Sequence, residues 1–451
     1  MTEAVTAPSI AFAPPQALAG VRVVEIGFAA AGPLVGKYLA NHGAEVIHIE
    51  SRTAPDVFRS TYPPFKDNVP GLDRAGMFAF YNDGKRGVSL DLKHPRGVEL
   101  ARALIARSDV LIESFQAGTM ARRGLDHALL SRDHPGLVML SSCNQGQTGP
   151  HAQHPGYGSQ LTCLAGFVHL LGDPDGSPVI LYGPYIDYIA VGYGVIAILA
   201  ALARRQVTGK GCYIDLSQYE AGLQFMGPAL LEYQLNGRVP MRDADHDPVA
   251  VPHGVYPCLD EMEEDRWRAG APAPPERGST TSPERVSARS DEMEQDRWVA
   301  LSVWEDGEWC RFREALGDPE WARDERFGTA DGRRAARIEL DRRIAGWTSA
   351  RTREDVVATL RARRLRAAPV LSIGELFSDP QLGHRGFWRG LPHPVIGTVQ
   401  CISSPAKLSA TPARQERAGP TLGGDNDHVF GELLGLTTEE RAALARDGVF
   451  D

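Results

Sequence analysis

The sequence predicts an α/β protein with a doubly wound parallel sheet and a second, smaller α+β domain. Short β-branched runs alternate with helix-spaced segments between residues 21 and 217, as they do in parallel sheets covered by helices. After residue 236 prolines, histidines and acids thicken and the alternation changes character, which places a domain boundary there. The chain has 451 residues, 43% of them apolar and 23% charged, enough for two ordinary globular cores.

Residues 1–18 read as a flexible lead-in. They contain acids and prolines but no basic n-region or apolar h-region, so no signal peptide is expected. "VRVVEIG" (21–27) is a strand, "GPLVGKYLANHG" a helix stopped at Gly43, and "AEVIHIES" the next strand. Such a unit requires a crossover, hence parallel strands. "GVSLDL" is a strand, and Pro95 opens the helix of "RGVELARALIARS" at a position where its missing N–H costs nothing. "DVLIESF" and "GLVMLSSC" are further strands. A long apolar helix follows, then the turn "TGKG", the strand "CYIDLS" and the helix "QYEAGLQFMGPALLEYQLNG". Residues 19–236 form the large domain.

The smaller domain, 237–375, includes "RWVALSVW" as a strand, "EDGEWCRFREALG" as a helix, and two amphipathic helices in "RIELDRRIAGWTSARTREDVVATLRARR". "AAPVLSIGELFSD" reads as a strand and helix leading back to the first domain, and the largely helical stretch 376–451 rejoins it. "DEMEEDRW" (260–267) recurs as "DEMEQDRW" (291–298), with a Pro-, Ser-, Gly- and Arg-rich stretch between. That composition builds no core, so 260–297 reads as a duplicated, mobile insertion.

The net charge of −9 offers no global field for nucleic acid. The six cysteines form no CxxC pair and no zinc spacing with histidine, and read as reduced thiols of a cytoplasmic protein. GxSxG, GxGxxG, Walker A and HExxH motifs are absent, so neither a metal nor a permanently bound cofactor is expected. The apolar run 188–203 falls short of the roughly 18–20 residues of a membrane span. Gly192 and Gly194 interrupt it, which favours a helix buried in a soluble core.

Asp187 is the lone acid in "PVILYGPYIDYIAVGYGVIAILAALARR" (178–205). A buried charge is costly unless answered. One reading makes Asp187 the N-cap of the following helix. The other makes it a nucleophilic carboxylate that attacks an activated acyl carbon, with Tyr182, Tyr185, Ile186 and Tyr188 as walls that exclude water. The residues alone leave both open.

Six blocks in order are familiar: "GVRVVEIGFAAAGPLVGKYLANHGAEVIHIES", "YNDGKRGVSLDLK", "SFQAGTMARRGLD", "GQTGPHAQHPGYGSQLTCLAGF", "YGPYIDYIAVGYGVIAILAALARRQVTGKGCYIDLSQYE" and "PTLGGDNDHVFGELLGL". Together they resemble the class III CoA-transferase (CaiB/BaiF, formyl-CoA transferase-like) family over nearly the whole chain outside 260–297. The resemblance implies a Rossmann-like large domain, an interlocked homodimer, and transfer of CoA from an acyl-CoA donor to a carboxylic acid, with coenzyme A as substrate. It places the family's nucleophile on Asp187, and so favours the second reading. It places CoA contacts on Ala30, Ser51, Leu90, Lys93, Ser114, Phe115 and Arg122, with Arg52 as a neighbouring candidate. Family members often carry Arg where this chain has Ser51 and Asn where it has Ser114; Arg52 stands ready to replace the first. Tyr157, Tyr185 and His253 are candidates for the acyl pocket. The family's glycine-rich loop of formyl-CoA chemistry is absent, and "VPHGVYPC" occupies its region. A 2-methylacyl-CoA racemase of the same fold would need a histidine in a GHD triplet, where this chain has Gly156, Tyr157 and Gly158. One subunit of a heteromeric transferase and an acyl-CoA-binding module without turnover are the remaining alternatives.

Overall fold

The structure, a computed structural model, describes residues 16–259 and 297–451. The expected insertion therefore falls, but for its last residue, outside the described residues. The described residues divide into two compact units, one made of 16–171, 177–241 and 380–451, the other of 172–176, 242–259 and 297–379.

The first unit is built on six parallel strands: β1 (Arg22–Ile26), β2 (Glu45–Glu50), β3 (Arg86–Ser89), β4 (Val110–Glu113), β5 (Val138–Cys143) and β6 (Cys212–Ser217). Their order is β3-β2-β1-β4-β5-β6. The direction of winding reverses between β1 and β4, and in open α/β sheets ligands bind beyond the carboxyl ends of the strands at that reversal. β4 and β5 are buried at every residue, as expected of strands covered on both faces.

Helix α1 (Ala31–Asn41) follows β1 and is buried almost throughout. Helix α2 (Pro95–Ile105) begins at Pro95 as expected. Helix α3 (Gly158–Leu164) precedes the long helix α4 (Tyr185–Thr208), which packs on α1, β5 and β6. Gly194 permits that approach: a Cβ there would stand 2.9 Å from Val35 Cγ2.

Two expectations need correction in this unit. Helix α4 is apolar and long enough to cross a membrane by length and composition, but it is buried on one face only, through Ile186, Ala190, Val191, Ile198, Ala201 and Leu202. Tyr193, Ile196, Leu199 and Val207 lie exposed on this single chain, so it is not the fully buried core helix that its sequence suggests. The segment from Gln218 is also not one helix. Helix α5 (Gln218–Leu223) gives way to a tight turn, Gln224–Met226, before helix α6 (Gly227–Asn236). Pro228 lacks the N–H that a continuous helix needs and its ring crowds the preceding turn. Helix α6 buries none of its residues on this chain.

The C-terminal portion closes the β3 edge. Asp425 Oδ2 accepts from Gly87 N (2.9 Å), and Asn426 Oδ1 accepts from Ser89 N (3.0 Å).

An ion cluster lies beneath β1 and β2. Lys85 is fully buried and its Nζ donates to both Glu25 oxygens (2.7 and 2.9 Å), Pro33 O (2.7 Å) and Asn82 Oδ1 (2.7 Å). Gly36 makes room, since a Cβ there would overlap Glu25 Oε2. His48 stands between Glu25 (2.6 Å) and Glu50 (3.6 Å). Burial pushes its pKa down, but the two carboxylates outweigh burial and hold it at about 9. Arg59 continues the chain of charges to Glu50 (2.8 Å) and Asp73 (2.7 Å), and Lys37 pairs with Asp83.

The second unit carries an antiparallel sheet of β7 (His253–Pro257), β8 (Trp298–Ser302) and β9 (Arg366–Pro369). Helices α7 (Asp306–Ala315), α8 (Arg337–Thr348) and α9 (Arg353–Ala362) supply its core with Trp309, Phe312, Leu340, Ile344, Val356 and Leu360. β9 pairs with β8 here, so the strand of "AAPVLSIGELFSD" completes this sheet rather than leading back; the chain rejoins the first unit at Pro380.

Candidate active site

The turn after β1 meets the end of β4 at the winding reversal. Gly27 lets them touch: a Cβ there would lie 2.8 Å from Ser114 Oγ. Phe28 N donates to that oxygen (3.2 Å), and the Phe28 and Phe115 rings meet edge to face at 5.4 Å. Ala29 has φ of 62°, a left-handed conformation that a residue with a Cβ adopts at a cost of roughly 1–2 kcal/mol. Its N–H points at Asp56, 3.2 and 3.0 Å from the two carboxylate oxygens. Ala30 then holds the N-cap position of α1, itself only 1% exposed.

The other expected CoA contacts end neighbouring strands. Ser51 follows β2 and its Oγ donates to Asp451 O (2.9 Å). Leu90 follows β3, but it is buried in the core and its N–H donates to Glu50 O (2.6 Å). Arg52, Lys93 and Arg122 are exposed and pair with no carboxylate among the described residues. Arg122 donates only to Thr119 Oγ1 (2.9 Å) and Arg52 to Leu422 O (3.4 Å). Three unpaired cations beyond the carboxyl ends of these strands stand out on an acidic chain.

Asp187 is the third residue of α4, and Pro184 holds the N-cap position. The capping reading is thereby corrected: Asp187 lies in the first turn, and no side chain caps this helix. Its Oδ2 is shut off from solvent and has no hydrogen-bond partner among the described residues. That oxygen packs against Gly158, where a Cβ would overlap it and would also lie 2.6 Å from Pro184 Cβ. Burial pushes the Asp187 pKa up to about 7, opposed only by its own backbone N–H. Behind it Ile186 is fully buried against Leu161 and Ala165. Tyr188 donates to or accepts from Tyr81 across 2.6 Å between hydroxyls, and the Tyr185 ring meets Phe167 at 6.3 Å. Tyr182 is fully exposed on this chain and forms no wall, contrary to expectation, and Tyr157 is 59% exposed. His253 belongs to the second unit, on β7, with Nδ1 2.6 Å from Asp245 O.

Glu113, Gln147 and Gln153, not singled out in the sequence, brace this site. Glu113, at the end of β4, accepts from Phe115 N (2.8 Å) and Gln147 Nε2 (3.3 Å). Burial pushes its pKa up to about 7. Gln147 also accepts from Gly118 N (3.2 Å), and Gln153 Nε2 donates to Ala117 O (3.1 Å). The loop leading to Gly158 is thus tied to the segment carrying Ser114 and Phe115. A row of rings makes a second tie: Phe58 meets Tyr81 at 5.4 Å, and Tyr81 meets Tyr188 at 6.3 Å, beside Asp187. No signal along the chain pairs Gly158 with Asp187; only the packing of α3 on α4 does. Among the described residues no three His, Cys, Asp or Glu side chains group as a metal site.

Gly158→Ala is expected to displace either the carboxylate or the start of α3. A misplacement of about 1 Å at a reacting group costs on the order of 100-fold in rate. Steady-state kinetics of the variant, with circular dichroism to confirm folding, checks this.

The comparisons with known proteins agree with this architecture. The sequence profile described as CoA-transferase family III matches residues 18–263 and 270–426. The succinate–glutarate CoA-transferase of Agrobacterium fabrum is 31% identical over 94% of this chain and 97% of its own. The succinyl-CoA–L-malate CoA-transferase alpha subunit of Chloroflexus aurantiacus is 31% identical over 94% of this chain and 90% of its own. The crystal structure of a CaiB/BaiF family protein from Brucella suis superposes with a TM-score of 0.79 at 29% identity, covering 93% of this chain and all of that one. With a doubly wound sheet, a desolvated carboxylate on α4 and these relatives, the chain belongs to CoA-transferase family III and is a CoA-transferase.

Proposed function

We propose that this enzyme transfers CoA between carboxylic acids through covalent intermediates on Asp187. The observation that carries the reading is the buried, unpartnered Asp187 Oδ2 held against Gly158. A carboxylate oxygen withdrawn from water is a stronger nucleophile than a solvated one, and its acyl anhydride keeps the acyl group activated.

In the first step an Asp187 oxygen attacks the donor thioester carbonyl. The C–S bond breaks, leaving a mixed anhydride and CoA thiolate. The thiolate attacks the aspartyl carbonyl, expelling the donor acid as carboxylate and leaving an aspartyl-CoA thioester. The acceptor carboxylate attacks that thioester carbonyl and again releases thiolate. The thiolate then attacks the acceptor's acyl carbon, forming the new acyl-CoA and regenerating Asp187. One thioester replaces another, so no ATP is consumed.

Coenzyme A is placed over the winding reversal, against Ala30, Ser114 and Phe115 and the backbone of Leu90. Ser51 and Arg52, Lys93 and Arg122 answer its phosphates, which in an acidic protein need local cations. Tyr157 and Tyr185, both of the first unit, are assigned to the acyl pocket. The relatives named above act on succinyl-CoA or succinate, which makes a succinyl donor and a dicarboxylic acceptor the first substrates to test. The exposed apolar faces of α4 and α6 fit burial in a homodimer; the relative that is an alpha subunit makes a heteromer the alternative. Racemase chemistry needs two bases, and Gly156, Tyr157 and Gly158 supply no imidazole.

The pH dependence tests the assignment. The nucleophile is the ionised form, and burial lifts its pKa to about 7. The kcat/KM for the acyl-CoA donor is therefore expected to rise tenfold per pH unit below that value and to level off above it. A profile flat from pH 5 to 8 in the purified chain would count against Asp187.

A further inference from the structure

Asp56 is 0% exposed, in the loop after β2. It makes no ion pair among the described residues, although Arg59 is close in sequence. Its two oxygens are given to backbone N–H groups instead. Phe58 N donates to Oδ1 at 2.7 Å, and Ala29 N lies 3.2 and 3.0 Å from Oδ1 and Oδ2. Ala29 is the left-handed residue of the turn between β1 and α1, with Phe28 and Ala30 on either side. Phe28 in turn bonds Ser114 and touches Phe115. Such a turn would ordinarily use glycine; here a side chain from another loop holds an alanine in place.

We propose that Asp56 is a positioning residue for coenzyme A: it holds Ala29 left-handed so that the turn presents Phe28 and Ala30 beside Ser114 and Phe115. This rests on the placement of CoA at the winding reversal given above. Asp56 touches no reacting atom. The charged groups that interact with it electrostatically include Glu50 and His48 of β2 and Lys85. Burial, then Glu50, push its own pKa up to about 7.

The test measures CoA binding by calorimetry and steady-state kinetics in Asp56→Asn, Ala29→Gly and the double variant. Asn offers one accepting oxygen in place of two, so Asp56→Asn is expected to weaken CoA binding and raise the donor KM by about tenfold. The kcat should change by less than about twofold, because Asp187 is untouched. Ala29→Gly alone should shift binding by less than about twofold. In the Asp56→Asn background it should recover about fivefold, since glycine adopts the left-handed conformation without the steric cost. A general loss of packing would not be rescued by glycine. If Asp56→Asn does not fold, Asp56→Ser, with one accepting hydroxyl, is measured in its place with the same expectation. Arg122→Ala separates this inference from the reading beneath it. Weaker binding in Arg122→Ala with parental binding in Asp56→Asn overturns the positioning role alone. Parental binding in both overturns it together with the CoA placement. A loss in Asp56→Asn that Ala29→Gly does not relieve also overturns it.

Discussion

Asp187→Asn is expected to abolish CoA transfer while making the folded protein more stable. An amide cannot form the anhydride or the thioester, so turnover should fall by about 10⁴-fold or more, the scale seen when a nucleophile is removed. The stability effect comes from the same burial. Asp187 titrates at about 7 in the fold against an ordinary 3.8. Its folded pKa is raised, so the ionised form is disfavoured in the native state. The cost is absent below about pH 4, where the group is protonated in both states. It grows as pH rises and is complete above the folded value. Removing the charge should therefore stabilise the protein at pH 8 by on the order of 2–4 kcal/mol, and by almost nothing near pH 4. Urea unfolding of the two proteins at both pH values checks it. A variant with lower stability at pH 8 would show that the carboxylate has a partner that the fold needs.

The second large effect concerns the ion cluster beneath the site. Lys85→Met keeps most of the length of the side chain but removes a charge that meets four acceptors, two of them on Glu25. Within the pair, burial works against both charges. It pushes the Lys85 pKa down, with Glu25 opposing, and for Glu25 the charges of Lys85 and His48 outweigh it and hold the carboxylate low. Breaking one partner of such a buried pair leaves the other uncompensated, and costs about 3–5 kcal/mol. Pro33 O and the Glu25 carboxylate lie directly under the start of α1, so the loss should also loosen the β1–α1 turn. Chemical denaturation of Lys85→Met should show a lowered midpoint with an unchanged slope. The double variant Glu25→Gln/Lys85→Met should recover part of the loss, because the Glu25 charge is removed with that of Lys85 while His48 keeps Glu50.

Much of the fold was legible because strands and helices in this chain obey simple periods. The alternation from 21 to 217 reads as a doubly wound sheet, and the strands appear where β-branched runs lie. Pro95 marks a helix start for a local reason that needs no tertiary knowledge. The failures have physical causes of a different kind. Asp187 resembles a cap because an acid near a helix start usually is one; a shift of three positions makes it a buried first-turn residue, and cap positions cannot be read that finely. Helix α4 is apolar all round, which reads as core, yet one face is open on this chain. Glu25, His48, Glu50 and Lys85 look like polar positions on strands and loops. Only the packing of β1, β2 and α1 shows that they meet in the interior. Gly158 and Asp56 were missed for the same reason: each matters for what it touches across the fold, and neither contact leaves a mark in the local pattern.

The account rests on Asp187 becoming acylated, and trapping tests that most directly. The purified protein would be incubated with succinyl-CoA and hydroxylamine, digested, and mapped by tandem mass spectrometry. Hydroxylamine converts an aspartyl anhydride or thioester to a stable hydroxamate. The expected result is a single hydroxamate on Asp187, dependent on an acyl-CoA that the enzyme turns over and absent from Asp187→Asn. Active transfer with Asp187 unmodified, or with the hydroxamate on another carboxylate, would contradict it.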